Sequence, residues 1–232
     1  MPPTSAGTLH YESRRLAPVI RVNVGCGTHV PEGWIHLDNS PSVLLAERPR
    51  LRRLLLALRV LNPEQASGFP AGVLRADATA LPLSDGSVDA VHTAHMIEHL
   101  PRWKGHQFVV ECHRILRPGG IVRLSTPNLR TLIERYQTGE PWIEGQPTAA
   151  DSFVHEYGAW ADIDDNRARR FIRRQFSGAN HQWLYDAESL CLLLREAGFP
   201  DPREREYLDS DIPEVVAVER RPDSLFVEAV KH

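Results

Sequence analysis

The stretch Val19-Ile20-Arg21-Val22-Asn23-Val24-Gly25-Cys26-Gly27 is the strongest indication of how this chain folds. It reads as an apolar strand that runs into a turn with two glycines one residue apart, and Asp38 closes the next apolar stretch. Glycine lets a backbone come close to a ligand where a side chain would block it. An acidic residue after the following strand is the usual partner of ribose hydroxyls in nucleoside-binding α/β sheets. The pattern therefore predicts a nucleoside-type cofactor at this edge of a sheet.

Apolar strands and helices alternate along the rest of the chain. The predicted strands are residues 19–24, 35–38, 73–76, 88–94, 121–125, 203–207 and 225–230, and the predicted helices are 42–61, 103–117 and 186–197. The last two strands are expected to form an antiparallel pair. Pro31 and Gly33 disfavour a regular helix between Gly27 and Asp38. The alternation predicts an α/β fold.

Three ordered segments, residues 75–83, 87–100 and 111–124, carry a family resemblance. With the Gly-x-Gly loop they make the chain similar to the class I S-adenosylmethionine-dependent methyltransferases, in a branch with Glu-His-Leu after the fourth strand (Glu98-His99-Leu100). The resemblance covers residues 19–125 and resumes at 181–230. It implies a Rossmann-like seven-stranded methyltransferase sheet, mostly parallel with an antiparallel last strand, in a single domain of residues 1–232.

The resemblance also implies S-adenosylmethionine as the cofactor and a set of residues that bind it. Gly25 and Gly27 would let the backbone approach the methionyl part, Asp38 would accept hydrogen bonds from the ribose, and Asp77 would bind the adenine amino group. Any one of them alone is equally well a turn glycine or a surface carboxylate. The predicted cofactor-binding residues are Gly25, Cys26, Gly27, Asp38, Asn39, Asp77, Ala78 and His95.

Composition narrows the class of protein. The chain has 232 residues, of which 42% are hydrophobic, so it is long enough to bury a full core. A net charge of −3 lacks the excess of positive charge that is typical of proteins that bind nucleic acid. Three cysteines and the lack of a signal-like start or an apolar span predict a reduced, cytoplasmic protein with no transmembrane segment.

Residues 127–180 do not follow the strand–helix alternation. Three of the five tryptophans and three of the five tyrosines fall between residues 136 and 185. The segment follows the fifth strand at its carboxyl end, which is the edge where open α/β sheets bind ligands. We interpret residues 127–180 as an inserted cap over the acceptor site.

The reaction is expected to take place at an oxygen acceptor. Amino-group methylation of DNA or glutamine in this superfamily uses an Asn/Asp-Pro-Pro-aromatic motif after the fourth strand, where this chain has Thr93-Ala94-His95-Met96. A hydroxyl acceptor needs a general base or a metal, and histidine is the natural base near neutral pH. The candidate bases are His95, His155 and His181; alternatively, His181 only caps the helix that follows it.

A divalent metal such as Mg²⁺ is the other way to activate a hydroxyl, and its predicted ligands are His95, Glu98 and His99. A helical turn would place His95 and His99 on one face. The sequence resembles, with one change, the Glu-x-x-Glu-His of metal-dependent 2′-O-methyltransferases of small RNA, with His155 or His181 as a further ligand. A histidine in the first position suits Mg²⁺ less well. Alternatively, these residues only line the methionine pocket and form structural hydrogen bonds.

The branch of the family implies an O-methyltransferase acting on a sugar or oligosaccharide in polysaccharide or glycoconjugate biosynthesis, similar to the actinobacterial methylmannose polysaccharide type. Two alternatives stay open. One is a small-molecule methyltransferase for a phenol, quinone or carboxylate, and the other is a non-catalytic cofactor-binding partner subunit. The amphipathic helix predicted at residues 42–61 has three possible roles. It could pack on the sheet, form a homodimer contact or lie on a membrane surface.

Overall fold

A computed structural model describes residues 19–46, 48–57, 70–157 and 181–232 of the chain. Its strands are β1 (Arg21–Val24), β2 (Ile35–Asp38), β3 (Val73–Arg75), β4 (Val88–Ala94), β5 (Leu116–Thr126), β6 (Arg203–Arg205) and β7 (Leu225–Val230). They form one sheet in the order β3-β2-β1-β4-β5-β7-β6. Strands β1 to β5 are parallel, and β7 is antiparallel to both of its neighbours. The predicted fold class is confirmed.

The described helices are α1 (Pro41–Ala46), α2 (Pro49–Ala57), α3 (Arg102–Ile115), α4 (Leu129–Gln137), α5 (Ala149–Tyr157) and α6 (Ala187–Glu196), with 3₁₀ turns at Ile97–His99 and Val215–Ala217. Helices α3 and α6 bury their apolar faces in the main core, which includes Phe108, Ile115 and Leu190. Asp186 caps α6 by accepting a hydrogen bond from the Ser189 N–H. Within the described ranges, no helix has the length and apolar character needed to cross a membrane.

The helix predicted at residues 42–61 is not continuous. The described part is divided into α1 and α2, because Pro49 begins α2 and proline restricts the residue before it and lacks a backbone N–H. Residues 58–61 lie outside the described part of the chain. Helix α2 buries none of its residues, and Leu51 and Leu54 are exposed. The homodimer contact stays a prediction.

A long loop packs on one face of the sheet. As predicted, no helix connects β1 to β2. The long connection between β6 and β7, residues 206–224, packs on this face instead, and it buries Ile212, Val215 and Val218 against Trp34 and Ala90. This connection, which we call the β6–β7 loop, therefore reaches the region where the first glycine loop lies.

A buried arginine ties the β6–β7 loop to the sheet. Arg123 on β5 is fully buried, and it donates to both carboxylate oxygens of Glu219, at 2.7 and 2.8 Å. Its other N–H groups donate to the Glu206 and Asp209 carbonyls and to Glu228, so all five donors are satisfied. Burial by itself would raise the pKa of Glu219, but the His92 ring 3.8 Å away and hydrogen bonds from Arg123 and the Leu208 N–H lower it to about 2. The loop is therefore held by an ionised pair inside the protein.

Candidate active site

The first glycine loop turns sharply at the end of β1. Gly25 and Gly27 have positive φ angles of 69° and 56°, a region that side chains disfavour. A Cβ added to Gly25 would lie 2.4 Å from Met96 Cγ, whereas one added to Gly27 would meet nothing within 4 Å. Gly25 is therefore needed for close packing against Met96, two residues after β4, and Gly27 faces open space.

Gly25→Ala is expected to lower the free energy of unfolding by about 2–4 kcal/mol, since it combines left-handed strain with overpacking against Met96. Gly139→Ala is the matched control, because Gly139 has a φ of 76° and nothing within 4 Å of an added Cβ. The control should cost only about 1–2 kcal/mol. Urea unfolding measures both values, and equal losses in the two variants would contradict the packing role of Gly25.

Asp38 is held by the loop that precedes it and the turn that follows it. Its Oδ2 accepts from the Gly27 N–H at 3.0 Å, and its Oδ1 accepts from the Ser40 N–H at 2.7 Å. Each carboxylate oxygen has a second lone pair, so Asp38 can still accept hydrogen bonds from two hydroxyls. Asn39, the next residue, is exposed.

The second predicted carboxylate lies after β3, at the same edge of the sheet. Asp77 is exposed, and its Oδ1 accepts from the Thr79 N–H and hydroxyl. These hydrogen bonds, the backbone one first, lower the pKa of Asp77 and keep it ionised. Ala78 is partly buried against the main core.

Two clefts lie side by side at the carboxyl edge of the strands. The first, which we call the cofactor cleft, has a volume of about 500 Å³, within the usual range of small-molecule sites. Its described lining is Asn23, Gly25, Cys26, Gly27, Thr28, His29, His92, Ala94, His95, Val218, Arg220 and Arg221. The second, which we call the acceptor cleft, has a volume of about 390 Å³. Its described lining is His95, Pro127, Asn128, Thr131, Leu132, Arg135, Glu156, His181, Arg220, Arg221, Pro222, Asp223 and Ser224.

The two clefts meet at His95, Arg220 and Arg221, which line both. Four members of the predicted cofactor set line the cofactor cleft, namely Gly25, Cys26, Gly27 and His95. Burial, followed by the nearby charge of Asp38, raises the pKa of the Cys26 thiol to about 12. The thiol therefore stays protonated, and Cys26 provides packing rather than chemistry.

His95 is held in a strained backbone conformation at the junction of the clefts. It follows β4 with a φ of 50°, which is uncommon for a residue other than glycine. His95 Nε2 and Ser224 Oγ share a hydrogen bond of 2.7 Å, and His95 Nδ1 lies 3.3 Å from Glu98 Oε1. The imidazole is thus placed between a hydroxyl in the acceptor cleft and a buried carboxylate.

Glu98 is fully buried in the 3₁₀ turn after β4. Its Oε2 accepts from the Thr126 hydroxyl at 3.2 Å. Its Oε1 lies within ion-pair distance of His95, but no described residue offers it an aligned hydrogen bond. A carboxylate in such a place is costly unless a cation or a donor compensates it.

The segment that begins at His181 docks on the same turn. The Gln182 and Trp183 N–H groups donate to the Glu98 carbonyl, and Gln182 Nε2 donates to the His99 carbonyl. This docking brings the His181 ring to 4.9 Å from the His99 ring, measured between centroids. Burial lowers the pKa of His181, so that the ring is neutral at pH 7.

The predicted histidines therefore separate into different positions. The expectation that His95 and His99 share a helical face is wrong, because His95 precedes the single 3₁₀ turn in a left-handed conformation. His155 lies in the last turn of α5, and its neighbour Glu156 lines the acceptor cleft. Among described residues, the ligating atoms that converge are those of Glu98, His99 and His181. Metal binding stays a prediction.

Sequence reasoning missed the residues that the β6–β7 loop contributes. Arg220, Arg221 and Ser224 line the clefts, although they lie about a hundred positions or more from the other lining residues of β1 and β4. The one available signal was the length of the connection between the last two predicted strands, because long loops in compact domains often carry function.

Comparisons with known proteins agree with this geometry. Residues 22–124 match the protein family described as "Methyltransferase domain". This match spans less than half of the chain and makes residues 22–124 similar to a methyltransferase domain. The sheet has the strand order and directions expected for the class I enzymes, and the likeness indicates S-adenosylmethionine as the cofactor. The glycine conformations, the cleft volume and the lone pairs of Asp38 fit a nucleoside cofactor of this kind.

Two curated relatives and one solved structure are examples of the proteins to which the chain is similar. A probable S-adenosylmethionine-dependent methyltransferase of Mycolicibacterium smegmatis is 58% identical over 48 residues, covering 21% of this chain and 18% of the relative. An uncharacterized methyltransferase of Mycobacterium sp. is 33% identical over 104 residues, covering 42% of this chain and 40% of the relative. The matches thus span less than half the length of these relatives. A SAM-dependent methyltransferase from Archaeoglobus fulgidus has a TM-score of 0.48 and 15% identity, covering 92% of this chain and 86% of that one.

Proposed function

We propose that the protein transfers a methyl group from S-adenosylmethionine to a hydroxyl group of a sugar or oligosaccharide. The observation that supports this most directly is the place of His95. Its ring lies where the two clefts meet, with Nε2 beside Ser224 in the acceptor cleft and Nδ1 facing the Glu98 carboxylate. A histidine oriented by a carboxylate and reaching an acceptor site has the arrangement of a general base.

When bound, S-adenosylmethionine supplies an electrophilic methyl group on a sulfonium that becomes a neutral thioether. The protein must then align the acceptor hydroxyl and remove one proton. With its proton on Nδ1, which lies 3.3 Å from Glu98 Oε1 without an aligned hydrogen bond, His95 presents Nε2 as the proton acceptor, and Ser224 positions it. As the acceptor oxygen gains the methyl carbon, its proton passes to His95 Nε2. The Glu98 carboxylate stabilises the imidazolium that results.

The lining of the acceptor cleft supports a polyhydroxylated acceptor. Most of its described side chains can donate or accept hydrogen bonds, and its apolar members are Leu132 and two prolines. A sugar offers hydroxyls in several directions and suits such a lining, whereas a phenol or quinone is bound better by apolar walls. This distribution of polar groups favours the sugar acceptor over the small aromatic one.

The segment after β5 would act as the acceptor-binding cap. Helices α4 and α5 contact each other through the Tyr136 and Phe153 rings and an Arg135–Glu156 ion pair of 3.5 Å. Arg135 and Glu156 also line the acceptor cleft. Residues 158–180 of the proposed cap, including Trp160, lie outside the described ranges. A role in polysaccharide or glycoconjugate biosynthesis follows from this acceptor class.

Incubation with methyl-labelled S-adenosylmethionine and a panel of mannosides, glucosides and phenols tests the proposal. Label is expected on a saccharide, in an ether that resists mild base. Transfer to phenols alone would replace the sugar with a small aromatic acceptor. Tight cofactor binding without transfer to any acceptor in a cell extract would favour the non-catalytic partner subunit.

A further inference from the structure

We infer that Glu98, His99 and His181 form a binding site for one divalent transition-metal ion beside the acceptor cleft. One ligating atom from each of these residues lies within 4.8 Å of the other two. A tetrahedral site with bonds of about 2.1 Å separates its ligand atoms by roughly 3.4 Å, so side-chain movements of about 1 Å would close the cluster. The fold itself therefore brings the three residues close to the spacing that an ion requires.

Two buried polar atoms in this cluster lack hydrogen-bond partners among the described residues. They are Glu98 Oε1, on a fully buried side chain, and His181 Nδ1. Buried polar atoms in proteins nearly always have a hydrogen-bond partner, so two such atoms without one in the same cluster need an explanation. A cation held between them satisfies both and also offsets the cost of burying the Glu98 carboxylate.

The backbone around the cluster is rigidly held, as a metal site requires. Gln182 and Trp183 donate to the Glu98 carbonyl at 2.7 and 3.1 Å, and Gln182 Nε2 donates to the His99 carbonyl. The Thr126 hydroxyl holds the other Glu98 oxygen, which is the kind of outer support that orients metal ligands. Two distant segments of the chain are thereby fixed in the register that brings His181 to His99.

The donor set indicates which ions fit. Two imidazoles and one carboxylate suit Zn²⁺, Mn²⁺, Fe²⁺ or Co²⁺, whereas Mg²⁺ prefers oxygen ligands. Three protein ligands also leave a coordination position open for another molecule. His181 lines the acceptor cleft, so that position is available to an acceptor hydroxyl. This role rests on the proposed function, and it would ease loss of the hydroxyl proton to His95.

Titration of chelator-stripped protein with Co²⁺ and Zn²⁺ tests the site, using the cobalt visible spectrum and calorimetry. One equivalent is expected to bind with a spectrum typical of nitrogen and oxygen ligands. Glu98→Gln and His181→Gln should each weaken binding by about 100-fold or more, beyond the 10–100-fold effect of an outer-shell change. His106→Gln on α3, outside the cluster, serves as the control and should bind like the unaltered protein. Circular dichroism verifies that each variant is folded.

The outcomes separate this inference from the proposed function. Absence of stoichiometric binding, or equal binding by all three variants, would overturn the metal site. Label transfer to a saccharide by metal-free protein that binds no ion would do the same and leave the methyltransferase proposal standing. An ion bound through Glu98 and His181 in a protein that methylates nothing would support the site and overturn the proposed function.

Discussion

Arg123→Met is expected to lower the free energy of unfolding by about 3–5 kcal/mol, because it leaves buried carboxylates without their counter-charge. Arg123 satisfies both oxygens of Glu219 and also contacts Glu228, and all three side chains are almost entirely buried. For a chain of this length the melting temperature should fall by roughly 6–20 °C. Urea and thermal unfolding measure the change.

Arg203→Met provides a matched control for this substitution. Arg203 is an arginine on β6, which is separated from β5 by β7, and it pairs with Asp201 in solvent, so its loss should not change stability measurably. The double variant Arg123→Met with Glu219→Gln removes both charges, and it should be more stable than the sum of the two single changes predicts. Additive losses would show that the buried pair does not hold the β6–β7 loop as the structure indicates.

His95→Asn is expected to reduce kcat by about 10²–10⁴, the usual contribution of a general base. Asparagine is chosen because it tolerates the positive φ at this position better than most residues, so the strained backbone should persist. The Kd for cofactor should change by a much smaller factor, because His95 is only one member of the cofactor lining. Initial rates with a labelled acceptor and direct cofactor binding provide the two measurements.

Substitutions of two other histidines serve as comparisons for His95→Asn. His106→Asn on α3, outside both clefts, is expected to keep the rate of the unaltered protein. His155→Asn should also have a small effect, since Glu156 rather than His155 lines the acceptor cleft. A near-normal rate for His95→Asn together with a large loss of rate for His155→Asn would show that His155, in the proposed cap, is the general base instead of His95.

The regular part of the fold was predictable from local patterns. The bounds of β2, β4 and β7 agree with the prediction residue for residue, because buried apolar runs between turn residues leave few alternatives. Strand β5 begins earlier than predicted, at Leu116, and α3 ends at Ile115 rather than at the predicted residue 117. Pro118-Gly119-Gly120 lies within the strand, where a register shift against β4 accommodates it. The prediction of one continuous helix at 42–61 was wrong within the described residues, because the apolar periodicity runs through the break at Pro49.

The positions of the predicted cofactor-binding residues in the fold were also predictable from the order of residues. Gly25, Gly27, Asp38 and His95 are close in sequence to the strands that carry them, so a strand-and-turn pattern locates them at one edge of the sheet. Backbone conformation and sequence spacing are local properties, and neither needs contacts between distant segments to be specified.

The acceptor side depends on contacts between distant parts of the chain. The hydrogen bond between His95 and Ser224 joins residues 129 positions apart, and Gln182 reaches across 83 positions to the His99 carbonyl. No spacing rule relates such residues, since their approach depends on how α4, α5 and the β6–β7 loop pack. The order of residues thus specified the sheet and the cofactor loop, while folding of the whole chain selected Glu98, His99 and His181 as one cluster.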